Sequence, residues 1–299
     1  MSHRPYPFFE ALIAPARPSA TLPRLLVGSV VVVMGFFTFL YLASILLRSF
    51  LPPPLSERMS TALEDGGTTI GVLGNLFVFG FVILALNVAL RWAHGRGILS
   101  LLGPAKLATL QFRRVAAYLV GLHVAISLLV PAGDMLTPQA NLDLALWLSL
   151  LPIALCALLI QTSAEELVFR GYLQSQLAAQ FRTPLVWMLV PAIIFALLHY
   201  TPEMNGNSAT VIVLWTMAFG LVAADITARA GTLGPAIALH FMNNFAAILL
   251  TAPQGNFDGL ALYTVPISLT DGSSIWAWAP VEFMVLFCSW LTARIAIRR

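Results

Sequence analysis

Charge is scarce in this chain. Only 10% of its 299 residues are Asp, Glu, Lys or Arg, while 59% are hydrophobic. An ordinary soluble domain carries about 25% charged residues. A soluble protein of this length cannot hide so much apolar surface, so the excess must face lipid. Cysteine is scarcer still. Cys156 and Cys288 both lie in apolar runs and read as packing residues, which excludes a disulfide scaffold. No CxxC or HExxH pattern occurs, and no Ser or Cys sits in an obvious nucleophile context. Internal repeats and low-complexity tracts are absent. The first apolar run, Leu25 to Leu47, is longer than a signal-peptide core and lacks a small-x-small cleavage site. It reads as a retained span.

What is present is a series of apolar runs. They predict an all-α polytopic membrane bundle of about eight transmembrane helices, near 25–47, 69–90, 115–132, 144–162, 184–200, 209–228, 232–251 and 275–295. Each is near the roughly 20 residues that cross the hydrocarbon core, with the third and fifth on the short side. A count of seven is the alternative. With eight spans and the N-terminus inside, all basic residues but Arg48 and Arg58 fall in inner segments. Glu57, Glu64, Asp65, Asp134, Asp143, Glu203, Asp258 and Asp271 fall outside. That bias obeys the positive-inside rule and places both termini in the cytoplasm. The net charge of +3 then reflects loops facing an anionic leaflet and needs no nucleic-acid partner. The stretch 91–114 interleaves basic residues with Leu, Ile and Trp92. It reads equally as an amphipathic helix lying on the membrane, broken at Gly103-Pro104, or as a plain connector. The outer loops 48–68 and 252–274 are polar and turn-rich.

Polar residues inside apolar runs are therefore the informative ones, because ionised groups at membrane depth are costly and mark function. Glu165-Glu166-Leu167-Val168-Phe169-Arg170-Gly171 directly follows the run Leu144–Ile160. Glu166 and Arg170 are i and i+4, so they share a face and can pair. Glu165 is turned from Glu166 by about 100°, so Arg170 cannot easily neutralise both, and one carboxylate stays available for chemistry. Two further pairs follow: Phe195 with His199, and His240 with Asn244, the latter mid-span and one turn apart. Asn243, turned by about 100° from Asn244, is the less favoured neighbour. His123 reads as a packing or hydrogen-bonding residue, and Asp225 as an interfacial acid paired with Arg229. A carboxylate and an imidazole can hold and deprotonate a water. An imidazole and an amide can stabilise the oxyanion formed on attack at a peptide carbonyl. The same Glu and His types can instead ligate a divalent metal.

Glu165-Glu166-x-x-x-Arg170, Phe195-x-x-x-His199 and His240-x-x-x-Asn244, in that order, resemble the three motifs of the CAAX protease and bacteriocin-processing (CPBP) intramembrane proteases. The resemblance covers roughly residues 145–250. It divides the chain into N-terminal membrane helices (1–140), a protease core (141–252), and an outer loop with a C-terminal membrane helix (253–299). It implies a multi-pass membrane endopeptidase acting on a membrane-embedded or lipid-tethered protein or peptide. By analogy, Glu165 and His199 activate water, His240 and Asn244 form the oxyanion hole, and Glu166 and Arg170 are structural or position substrate. The family's chemistry is described both as metal-dependent and as a metal-free glutamate mechanism. Zinc on Glu165, His199 and His240 is the metal version, although those positions form no recognised zinc spacing. The short loops and absent organelle signal suggest a bacterial plasma membrane. Two other classes are weighed: a catalytically silent scaffold or bacteriocin-immunity protein of the same fold, and a transporter. The first keeps the cavity without needing every catalytic group. The second needs a continuous polar path and inverted hydropathy halves, which the first three spans do not offer.

Overall fold

The computed structural model describes residues 6–64, 66–129, 137–255, 257–267 and 272–298. Arg4, Asp65, Asp134, Asp271, Arg299 and the end of the expected third span (130–132) lie outside the described residues. The helices in chain order are α1 (Glu10–Ile13), α2 (Leu22–Phe50), α3 (Pro53–Glu64), α4 (Thr69–His94), α5 (Ala105–Leu129) and α6 (Leu144–Glu166). They continue with α7 (Ser175–Gln180), α8 (Val190–Leu197), α9 (Pro202–Asn205), α10 (Ala209–Ala230), α11 (Gly234–Asn244) and α12 (Gly272–Ile297). Three wider π-helical segments, Leu167–Gln174, Leu185–Leu189 and Phe245–Leu250, extend α6 into α7, lead into α8, and prolong α11.

Six of these helices are long and apolar enough to cross a membrane, and the protein is an integral membrane helical bundle. The elements at the expected fifth and seventh positions are shorter, Leu185–Leu197 and Gly234–Leu250. The outward faces carry the lipid-facing side chains, among them Leu26, Val30, Met34, Phe37 and Tyr41 of α2. Local sequence sets the ends. Thr68 caps α4 by accepting from the Gly71 N–H, and Asp143 caps α6 by accepting from Ala145 and Leu146. Gly95, at φ 64°, terminates α4 in a left-handed conformation that a side chain would oppose.

Several expected boundaries shift. The fourth span does not end at 162. The helix runs from Leu144 to Gln180 without a break, so Glu165 and Glu166 sit near its middle. The next helix rises from Leu185, and its apolar part ends at Leu197, with His199 just beyond. Residues 165 and 199 thus lie equally far in sequence on either side of Arg182, which sits in the turn between the two helices. With the shorter fourth span they would stand at opposite ends of the membrane. The basic stretch 91–114 is not a helix lying on the surface. Arg91 ends α4, Gly103-Pro104 sits in the connection, and Lys106, Arg113 and Arg114 belong to α5, which starts ten residues before the expected span. The loop 48–68 contains α3, and the loop 252–274 supplies two strands of a small sheet. Its order is β1 (Gln139–Ala140), β3 (Tyr263–Val265), β2 (Thr251–Pro253), with β1 antiparallel and β2 parallel to β3. Both cysteines are free, and Cys156 is exposed on the outer surface of α6 rather than packed.

The segment before α2 folds back under one end of the bundle. Phe9 and Leu12 are buried, and Tyr6 packs edge-on against Trp187. The Tyr6 hydroxyl donates to Asp225 Oδ1 at 2.8 Å. Asp225 also accepts from Arg229 Nε at 2.8 and 2.9 Å and from Trp290 Nε1 at 2.9 Å, so the expected Asp225–Arg229 pair is one part of a four-residue lock. Burial, then the hydrogen bond to Asp225 and its charge, push the Tyr6 hydroxyl up to about 12. The folded state therefore holds this proton more tightly than the unfolded chain does. Its contribution is complete below about pH 10 and is lost as pH rises toward 12. The melting-temperature difference between wild type and Tyr6→Phe in detergent should be largest near neutrality and shrink between those values. A difference that stays constant over that range would show that Tyr6 is not held by Asp225.

Candidate active site

The site is built where α6, α8, α10 and α11 meet, and an arginine organises it. Arg170 is 1% exposed. Its Nη1 donates to Glu166 Oε1 at 3.1 Å and its Nη2 to the Gly220 carbonyl of α10 at 3.3 Å. Gly220 has to be glycine here, because a Cβ would come within 2.9 Å of the Ala192 Cβ on α8. The guanidinium carbon lies 4.8 Å from the centre of the Phe195 ring and 5.9 Å from those of Phe169 and Phe219. Three aromatic faces thus stabilise a cation that has no water around it.

His240 of α11 bridges the two glutamates. Its Nδ1 is 2.8 Å from Glu166 Oε1, and its Nε2 is 3.5 Å from Glu165 Oε2. A carboxylate can only accept, so Nδ1 carries a hydrogen and donates to Glu166. Glu166 Oε1 therefore accepts from both Arg170 and His240. Glu165 Oε2 is buried, accepts no hydrogen bond, and faces the imidazole. The helix widens to π geometry immediately after Glu166, a distortion that recurs at functional sites.

His199 joins this group through Phe195. Its Nδ1 lies 2.8 Å from the Phe195 carbonyl, an acceptor, so Nδ1 is the protonated nitrogen and Nε2 is left as a base. The Phe195 ring packs against both His199 (centroids 4.7 Å apart) and His240 (6.2 Å), and Phe219 packs against His240 at 4.9 Å. Asn244 joins through a residue that the motif reading misses: its Nδ2 donates to Gln161 Oε1 at 3.0 Å. Gln161 is buried one turn before Glu165, and a buried amide on the glutamates' own helix was the available signal. Phe219 gave no such signal, since an aromatic in an apolar span looks like any core residue.

The structure thus joins Glu165, Glu166, Arg170 and His240 by direct contacts and links His199 to them through Phe195, while Asn244, one turn past His240, bonds to Gln161, one turn before Glu165. His123 bonds back to its own helix at the Leu119 carbonyl, as expected of a packing residue. As a zinc set, Glu165, His199 and His240 do not fit. Among the described residues no three His, Cys, Asp or Glu side chains are gathered as metal ligands.

A membrane helical bundle thus encloses a buried Glu-Glu-Arg-His constellation. Residues 147–246 match the family described as "Type II CAAX prenyl endopeptidase Rce1-like", which places this part of the chain in the CPBP family. The chain is also similar to the uncharacterized protein YyaK of Bacillus subtilis (strain 168), with 28% identity over 243 residues, covering 79% of each chain. That similarity extends well beyond the family segment. No solved structure matches.

The geometry of Arg170 makes a direct prediction. Arg170→Ala strands the Glu166 carboxylate in a dry interior and should destabilise the protein by about 3–5 kcal/mol. Arg170→Lys should not rescue it, because an ammonium cannot span Glu166 and the Gly220 carbonyl while stacking on Phe195. Melting temperature and folded yield in detergent check both, and a lysine variant of wild-type stability would refute the role given to the fork.

Proposed function

We propose that this site hydrolyses a peptide bond of a membrane-embedded or lipid-tethered protein or peptide. One observation carries the reading: the two adjacent glutamates do different jobs. Each keeps one buried oxygen that accepts no hydrogen bond, but Glu166 Oε1 accepts from both Arg170 and His240, whereas Glu165 Oε2 stands 3.5 Å from the His240 imidazole. Such a carboxylate is a ready general base.

In this scheme Glu165 Oε2 and His199 Nε2 hold a water. As its oxygen attacks the scissile carbonyl carbon, its proton passes to Glu165 and the carbonyl electrons move onto oxygen. The oxyanion is met by His240 Nε2–H and by the Asn244 amide. When the C–N bond breaks, the proton held by Glu165 moves to the leaving nitrogen, and the carboxylic acid product departs with water's oxygen. Low-dielectric surroundings strengthen each of these interactions. The family name supports a substrate ending in a prenylated cysteine followed by three residues, and the buried site supports a peptide delivered from the lipid phase. The Bacillus relative and the basic-residue bias support a bacterial plasma membrane with both termini in the cytoplasm, and the family segment supports a core near 141–252.

The test is cleavage of an internally quenched peptide bearing a farnesylated cysteine by the protein in liposomes. Glu165→Gln should lower turnover by about 10²–10⁴-fold at an unchanged melting temperature. Full activity in that variant would refute the assignment. A wild type that cleaves no lipidated or transmembrane peptide would favour the scaffold reading. Loss of wild-type cleavage on chelation would overturn the metal-free scheme.

A further inference from the structure

The Asn244 carboxamide is gripped at both ends. Its Oδ1 accepts from Asn243 Nδ2 at 3.2 Å, and its Nδ2 donates to Gln161 Oε1 at 3.0 Å. A primary amide turned by 180° exchanges oxygen for nitrogen with almost no change of shape, so packing alone does not fix which end points where. Here a donor stands at one end and an acceptor at the other. With Asn243 and Gln161 oriented as they are, one orientation of Asn244 satisfies both, and the flipped one opposes oxygen to oxygen and N–H to N–H.

Asn243 belongs to a different environment from the glutamates. It lines a small pocket with His123, Trp215, Phe219, Glu282 and Ser289, and Glu165, Glu166 and His240 are not among the lining residues. That pocket offers only about 10 Å³, the room of a single water, so it is no substrate site. Asn243 therefore reaches the reaction only through its neighbour. Gln161, a turn before Glu165 and 7% exposed, makes the other half of the grip from the opposite helix.

We propose that Asn243 and Gln161 are positioning residues that set the orientation of the Asn244 amide. With Oδ1 tied to Asn243 and one N–H tied to Gln161, the second N–H of Asn244 is the group left to meet the developing oxyanion. Without the grip, the amide turns over for part of the time and presents an oxygen to a growing negative charge. The proposal rests on the hydrolase reading above for its catalytic consequence, but not for the grip itself. It also changes the expectation for Asn243. The residue is turned away from the reacting atoms, yet its removal should be felt in turnover.

A four-protein cycle tests this: wild type, Asn243→Leu, Asn244→Ala and the double variant, assayed on the quenched farnesylated peptide. Asn243→Leu should lower kcat by about 10- to 100-fold, as misorientation of a catalytic group does, and leave KM within about twofold. In the Asn244→Ala background the same change should have little further effect, because Asn243 has nothing left to orient. An equal further drop in that background, or a change confined to KM, would overturn the proposal. The same four proteins are melted in detergent. Their shifts should be non-additive, as for groups in one hydrogen-bond network. If the wild type cleaves nothing, the hydrolase reading falls while the melting cycle still decides the grip, and additive shifts would overturn it.

Discussion

The Arg170 guanidinium, held dry between Glu166, the Gly220 carbonyl and three aromatic rings, is the interaction on which the other features depend. A buried charge is tolerated only when its hydrogen-bonding groups are met and its field is answered. That requirement draws α10 in close enough that Gly220 tolerates no side chain, and brings the rings of Phe195 and Phe219 onto the cation. It also engages Glu166 Oε1, which accepts from both Arg170 and His240, while Glu165 is turned toward the other nitrogen of that imidazole.

The helix that carries both acids is joined to α11 by two polar rungs a turn apart. Gln161 meets Asn244, and the glutamate pair meets His240. Residue numbers rise along one helix as they fall along the other, so the helices run antiparallel. A slip by one residue would disrupt the contacts of all five polar side chains at once. In lipid, where apolar contacts discriminate poorly between registers, such rungs fix the mutual height of two helices. Catalytic geometry and membrane architecture thereby become one constraint.

The chain outside the family segment contributes to the same end. The Tyr172 hydroxyl, two residues past Arg170, lies 2.9 Å from His94 Nε2 and donates to the Leu25 carbonyl at 3.2 Å. His94 Nδ1 meets Ser19 and Gln176 at 2.9 and 3.1 Å. These bonds tie α2 and α4 to the continuation of the motif helix. The lock at Asp225 ties the N-terminal segment and α12 to α10. The motif-bearing core is thus clamped from both sides by segments in which no motif is readable.

Much was legible in the residues alone. The shortage of charge against long apolar runs dictates a helical membrane bundle, since backbone polar groups in lipid must be satisfied within each segment. The i, i+4 spacing of Glu166 and Arg170 specifies their pairing, and that of Asp225 and Arg229 specifies theirs. What the sequence could not decide was depth and contact. A polar Glu-Glu-Arg stretch looks like the end of a span, because hydropathy registers its charges and cannot register the partners that neutralise them. Only the folded structure shows that the helix continues to Gln180 and that Glu165 and Glu166 lie near its middle. The bond from Asn243 to Asn244, the grip of Gln161 and the rings on Arg170 depend on side chains from different helices. Periodicity assigns a residue to a face of its own helix, but which residue of another helix it meets is settled by how the helices pack.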